Sequence, residues 1–261
     1  LAASELTAQN PTIAAMDKKD MLFGTRAVME TIRAGKPIEK IFIQSGLAND
    51  LVKELVAEAK SRSVPYTFVP PQKLERFAYK NHQGVVCILS AVAFTPLQTL
   101  IDHAYHEGRD PFFLMLDRIT DVRNFGGMAR SAECAGLDGI IVGERGNAPI
   151  TGDAMKTSAG ALSHIPVCRE RDLKKTCRQL KDNGIAIVAC TEKSGQPIYT
   201  TDLNKPLALL IGSEEDGISP EFLREADVLV SIPQRGKIGS LNASVAAGIA
   251  IYEAVRQKSY R

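Results

Sequence analysis

The sequence predicts an α/β fold in which a doubly wound parallel sheet fills the C-terminal part and a smaller α/β unit precedes it. Three observations predict it. Six short runs after residue 111 are apolar at successive positions rather than alternating, as strands covered on both faces are: FFLMLD (112–117), GIIVG (139–143), IPVCR (165–169), AIVAC (186–190), LALLIG (207–212) and VLVSIP (228–233). Segments with helical apolar spacing lie between most of them. Before residue 96 the signals are shorter and alternate helix and strand, enough for a compact unit of about 75 residues.

Element by element, residues 1–20 are polar and irregular and read as a flexible lead-in. MLFGTRAVMETIRAG predicts a helix from Met21, with Leu22, Val28, Met29 and Ile32 on one face and Gly35 as its stop. IEKIFIQ (38–44) is a strand, and a second helix follows Asp50 to about Arg62 with Leu51, Leu55, Val56 and Ala59 at helical spacing. YTFVP is a strand, KLERFAY a short helix and GVVCILSAVAF (84–94) a buried strand, closing a unit at 21–95. Residues 96–111, with LQTLIDHAYHEG, read as a helical join, and the second unit runs over 112–261. Its helices are GGMARSAECAG, GDAMKTSAGAL, LKKTCRQLKDNG and PEFLREA, with a last one from about Leu241 to Gln257.

Composition narrows the function classes. The 32 basic and 30 acidic residues leave a net charge of +2, which excludes a uniformly basic nucleic-acid coat and permits a local patch. No apolar run reaches the roughly 18 to 20 residues a membrane span needs, and the first residues lack the pattern of a secretory signal. Five cysteines, odd in number and in no CxxC pair, argue against a zinc site and a disulfide framework, so a cytoplasmic setting without a metal is expected. His103 and His106 share a helix face and read as solvated.

Three glycine-bearing segments follow strands of the second unit, where open α/β sheets place their ligand crevice. In LDRITDVRNFGGMARSAECAG (116–136), Asn124 and Arg130 flank Gly126 and Gly127, which allow a tight turn into a helix bearing Arg130 on its first turns. A surface arginine beside a helix start satisfies the same pattern. LLIGSEEDGIS (209–219) runs from a buried strand through Gly212, acidic residues and Gly217 to Ser219-Pro220. It is either an ordinary strand-to-helix turn with a Ser cap or a loop whose carboxylates suit a cationic ligand. In VSIPQRGKIGSLNASVAAGIAIYEAVRQ (230–257) a glycine-punctuated basic loop leads to Ser240-Leu241-Asn242. The helix opening there is made of small residues that admit another backbone, a ligand loop or a second subunit. A dinucleotide-binding rival would need GxGxxG after the first strand of this unit, and no such run exists.

Together and in this order, Asn124…Arg130, Gly212-Ser213-Glu214…Gly217 and Ile232-Pro233…Gly236…Ser240-Leu241-Asn242-Ala243-Ser244-Val245-Ala246 resemble the three motifs of the SpoU (TrmH-type) RNA 2′-O-ribose methyltransferases. The resemblance covers about residues 112–257. Gln234 stands where methionine is usual and Ala243 where valine is common. GTRAVMETI and HQGVV in the first unit resemble the ribosomal-protein-like RNA-binding domain of many members.

The resemblance implies a deep trefoil knot in the parallel-sheet unit, a homodimer with its active site completed across the interface, and S-adenosylmethionine as cofactor. It implies that Leu210, Ile211, Gly212, Ile232, Ser240, Leu241 and Asn242 bind the cofactor, with Thr157 and Gly160 as an addition. Arg130 would act on the ribose hydroxyl, and Asn124, Glu214, Ser240 and Asn242 would position it, the ribose and the cofactor. Arg118, Arg123, Arg235 and Lys237 are then candidate phosphate contacts. Members closest in layout methylate a guanosine ribose of large-subunit ribosomal RNA, so ribosomal rather than transfer RNA is the expected partner.

Overall fold

The computed structural model describes residues 20–77 and 81–259; of the lead-in, only Asp20 falls within them. The first unit holds strands β1 (Met21–Phe23), β2 (Ile38–Gln44), β3 (Tyr66–Val69) and β4 (Val85–Leu89), with helices α1 (Thr25–Arg33) and α2 (Asp50–Ser61). The sheet order is β1-β4-β2-β3, with β2 and β3 parallel and the other two pairs antiparallel. One face packs Ile41, Ile43, Val85 and Cys87 against Val28, Ile32, Val52 and Leu55 of the helices.

Three local expectations shift. Met21–Phe23 is a strand rather than the first turn of a helix, because it pairs with β4 and Gly24 then turns the chain at φ 90°. Helix α2 is capped by Asn49, whose side chain accepts from the Val52 amide, so Asp50 is its first residue. KLERFAY gives short 3-10 turns, Pro71–Lys73 and Glu75–Phe77, and Ala78 and Tyr79 lie outside the described residues.

The second unit carries α3 (Leu97–His106), β5 (Phe112–Leu116), α4 (Val122–Cys134), β6 (Gly139–Gly143), α5 (Gly152–Thr157), β7 (Val167–Glu170), α6 (Leu173–Asp182), β8 (Ala186–Cys190), β9 (Leu207–Ile211), α7 (Pro220–Glu225), β10 (Val228–Val230) and α8 (Ala243–Ser259). Its six strands form one sheet, β10-β8-β9-β5-β6-β7, parallel throughout. Alternate residues serve opposite faces. Leu114, Leu116, Ile140, Leu209 and Ile211 join the cluster with α4 and α8, while Phe113, Met115, Ile141, Ala208 and Leu210 join α3 and α6. Burial on both faces is why these strands read as continuous apolar runs. Leu97, Leu100 and Ile101 of the 96–111 segment belong to the second of these clusters, so that segment contributes to the sheet's core. No helix among the described residues is long and apolar enough to cross a membrane.

Strand order positions the site. From β5 the chain builds outward through β6 to β7, then crosses to β8, returns to insert β9 beside β5, and ends at the edge with β10. The direction of winding therefore reverses at the β5–β9 pair, and a crevice opens beyond the carboxyl ends of the strands at such a point.

Candidate active site

At that crevice the three glycine-bearing segments meet through one side chain. The Asn242 amide nitrogen donates to Asn124 Oδ1 at 2.9 Å and to Glu214 Oε1. Its carbonyl oxygen accepts from the Ser244 amide at 3.0 Å, the Ser244 hydroxyl at 2.6 Å and the Val245 amide at 3.2 Å. Asn242 is thus the cap of α8 and the clasp between α4 and the loop after β9. Glu214 Oε1 also accepts from the Ala243 amide at 3.3 Å. Asn124 is buried, so it takes a fixed partner rather than water.

The loop after β9 is built for close approach. Ser213 and Gly217 exchange backbone hydrogen bonds of 3.1 and 3.0 Å, and a Cβ on Gly212 would lie 2.2 Å from the Gly217 carbonyl carbon. Arg118, left-handed at φ 57°, donates to Asp216 at 2.8 Å and to the Gly217 carbonyl at 3.1 Å. Buried Asp117 accepts from the Ser219 amide at 2.7 Å. Pro220 opens α7 as expected, but the Ser219 side chain makes no cap bond.

Two cavities lie on either side of this loop, sharing Ser213 to Asp216 as their common wall. The first, about 440 Å³, is lined by the ends of β8, β9 and β10: Cys190 to Lys193, Ile211 to Gly217, Ile232, and Gly239 to Leu241. The second, about 410 Å³, is lined by Arg118 to Asp121, Asn124 and Gly146. Both sizes suit a small organic ligand. The first is walled by Glu192, Glu214, Glu215 and Asp216 against Lys193 alone, so it favours a cation. The Cys190 thiol there is pushed up to about 11, by burial first and then by Glu192. It stays neutral near pH 7 and forms wall rather than nucleophile.

Of the residues singled out in the sequence, Ile211, Gly212, Ile232, Ser240, Leu241 and Glu214 line the first cavity, and Asn124 and Arg118 line the second. Asn242 is the clasp. Leu210 is buried on the far face of the sheet. Thr157 and Gly160 stand apart from both cavities: the Thr157 hydroxyl donates to Val122 O and Asp153 O, and Gly160 turns the chain at φ 87°. Arg123, Arg235 and Lys237 are exposed, and Arg118 is tied into ion pairs with Asp117 and Asp216.

Gly126 and Gly127 are not a turn. They lie inside α4, which Asp121 caps, and they admit neighbours: a Cβ on Gly126 would strike Thr157, and Gly127 faces Ser244 of α8. Arg130 consequently sits on the third turn of α4, exposed and lining neither cavity. Sequence reasoning missed Cys190 to Lys193 and Asp117; the signal available was their place at strand ends, but only the strand order brings β8 beside β9 and β10.

This arrangement, a parallel sheet whose switch-point cavity lies where three glycine-bearing segments are clasped together, defines an α/β protein with a carboxylate-rich cavity that suits a cation. Comparison with known proteins gives the family. The SpoU rRNA methylase family model matches residues 111–252, and a model for RNA 2′-O ribose methyltransferase substrate binding matches residues 21–95. A TrmH family tRNA/rRNA methyltransferase of Bacillus subtilis, named as putative, is 34% identical over 240 residues, 92% of this chain and 96% of the relative. An AdoMet-bound rRNA methyltransferase from Sinorhizobium meliloti matches with TM-score 0.57 at 28% identity, covering 90% of this chain and 86% of that one. The AviRb SpoU methyltransferase of Streptomyces viridochromogenes, in complex with AdoMet, matches with TM-score 0.59 at 25% identity, covering 92% and 91%. The chain belongs to the SpoU rRNA methylase family of RNA methyltransferases.

Proposed function

We propose that the protein transfers a methyl group from S-adenosylmethionine to a ribose 2′-hydroxyl of RNA. The observation that carries this reading is the Asn124–Asn242–Glu214 clasp beside a cavity rich in carboxylates. The cavity fits the donor. A sulfonium and an ammonium give the molecule net positive charge, which Glu192, Glu214, Glu215 and Asp216 would balance. Gly212 lets the Gly217–Ile218 backbone close against it, which fixes the shape of the loop that walls the cavity. The backbone at Ile211, Gly212, Ile232, Ser240 and Leu241 would hold the bound group, which supplies an electrophilic methyl.

The remaining chemistry is the chain's own. The second cavity, across the 213–216 wall, is open to a nucleotide, and holding the two reactants on fixed walls supplies the near-attack geometry. Glu214 lines both spaces, Asn124 lines the second, and Asn242 joins the two side chains, so together they orient what lies between the cavities. A guanidinium is a poor proton acceptor, so Arg130 serves the reaction by stabilising the alkoxide that forms as the 2′-hydroxyl passes its proton to solvent water.

Arg130 lines neither cavity of its own chain, and this supports a homodimer in which it reaches the partner's site. Beside it, α8 packs on α4 through Gly127–Ser244 and Gly248–Ser131 and leaves Leu241, Val245 and Tyr252 exposed, an apolar face suited to a second copy. The family's trefoil knot belongs to the same proposal, supported by the chain after β10 returning to the loop after β9 and fastening there through Asn242. For the target, a guanosine of large-subunit ribosomal RNA is favoured. The Sinorhizobium rRNA enzyme aligns over 90% of the chain, whereas an Aquifex aeolicus TrmH/SpoU tRNA modifying enzyme aligns over 58%. Five unpaired cysteines favour the cytoplasm.

The test is calorimetry with S-adenosylmethionine followed by tritium-methyl incorporation into unmodified ribosomal and transfer RNA transcripts, with the 2′-O-methyl position mapped. Binding with incorporation into neither RNA would sink the reading, and incorporation into transfer RNA alone would replace the target.

A further inference from the structure

The second cavity holds polar groups that the clasp leaves over. Asn124 lines it and is only 7% exposed. The Asn124 carbonyl oxygen is committed to the Asn242 amide at 2.9 Å. Asn242 cannot present its other end instead, because its own oxygen accepts from Ser244 and Val245. The orientation of Asn124 is therefore fixed, and its amide nitrogen takes no hydrogen-bond partner among the described residues. A buried donor without an acceptor in the protein is a place for an acceptor on a ligand.

Around that donor the same cavity offers acceptors. Asp121 is the N-cap of α4 and Asn124 the third residue of the helix, a spacing that brings the two side chains together at one helix end. One Asp121 oxygen accepts from the Arg123 amide at 2.7 Å, and the other takes no hydrogen bond among the described residues. The Glu215 carboxylate, on the shared 213–216 wall, takes neither a hydrogen bond nor an ion pair among them. Glu214 is spent on Asn242 and the Ala243 amide, and Asp216 on Arg118, the single cation of the lining. So many carboxylates repel a phosphate, and the part of a nucleotide that fits them is the base. Guanine alone among the four bases sets two adjacent donors, N1–H and N2–H2, beside an acceptor, O6, on its Watson–Crick edge. Uracil, adenine and cytosine each offer a single donor group there.

We propose that Asn124, Asp121 and Glu215 read the base of the target nucleotide as guanine, Asn124 donating to O6 while the two carboxylates accept from N1–H and N2–H2. The inference rests on the ribose-methylation reading and adds to it the residues that choose the base. Asp121 then has two tasks, and capping α4 holds it in place for the second. A base without the paired donors sets an acceptor against a carboxylate, so the site selects by the cost of wrong partners as well as by the gain from right ones.

The experiment uses the full chain and whichever unmodified ribosomal or transfer RNA transcript accepts the methyl group, remade with inosine, adenosine or uridine at the mapped position. Inosine lacks the N2 amino group, and losing a hydrogen bond to a charged group should lower its kcat/KM about 10- to 100-fold below that of guanosine. Adenosine and uridine should fall further. Asp121→Asn keeps a capping side chain on α4 and is expected to cut the guanosine-over-adenosine ratio about tenfold, with melting temperature and S-adenosylmethionine affinity unchanged. An Asp121 that only caps the helix would not move that ratio. Equal rates on guanosine and inosine overturn the proposal, as does an unaltered ratio in Asp121→Asn. A mapped target other than guanosine overturns this inference and leaves ribose methylation standing, whereas wild-type protein that methylates neither RNA overturns both.

Discussion

The loop after β9 and the loop after β10 wall the same cavity from different sides and are built differently. Residues 213–217 are held by a backbone bridge, by Arg118 and by Asn242, and Gly212 makes room for the turn. Residues 233–241 are exposed from Pro233 onward, with Ile238 at 78%. A loop fastened to its neighbours at several points sets shape, whereas a loop whose side chains face solvent rearranges around a ligand more readily. One wall is therefore preorganised and the other adapts, and selectivity for the cation comes chiefly from the fixed carboxylates.

That contrast can be broken in graded steps. The largest effect is expected outside both walls: Arg130→Ala should lower methyl transfer about 100- to 1,000-fold with donor affinity unchanged, as loss of a charge-stabilising donor does. Parallel loss of donor binding by calorimetry would place Arg130 in the pocket after all. Gly212→Ala strikes the fixed wall. Overpacking of about 1 to 3 kcal/mol should weaken donor binding roughly 10- to 100-fold. Asn242→Ala removes a helix cap, about 0.5 to 2 kcal/mol, and leaves Asn124 unpaired. The melting temperature should fall by several degrees, and an unchanged melting curve would show that the clasp contributes nothing to stability. The smallest effect belongs to the exposed wall. Arg235→Ala/Lys237→Ala should leave stability within about 0.5 kcal/mol of wild type and reduce only RNA affinity and its salt slope. Weaker donor binding there would mean the adaptable wall holds the donor by charge.

Much of the fold was legible because its signals are local. All six strands of the parallel sheet show as apolar runs, since each is buried on both faces whatever its neighbours are. Met21–Phe23 was misread because three residues carry no period, and only pairing with β4 makes them a strand. Gly126 and Gly127 were misread for a related reason. Glycine signals that space or freedom is needed, and which of the two depends on Thr157 and Ser244 arriving from elsewhere in the chain.

The site divides the same way. Residue types and spacing in the three glycine-bearing segments determined the family and most of the first cavity's wall, because backbone-lined pockets need glycine and small residues in fixed positions. Tertiary structure alone decided that one side chain, Asn242, joins all three segments, that Cys190 to Lys193 complete the wall, and that Arg130 stands apart from it. Strand order is a long-range choice governed by how both faces of the sheet are covered. No local pattern of residues encodes which strand ends become neighbours.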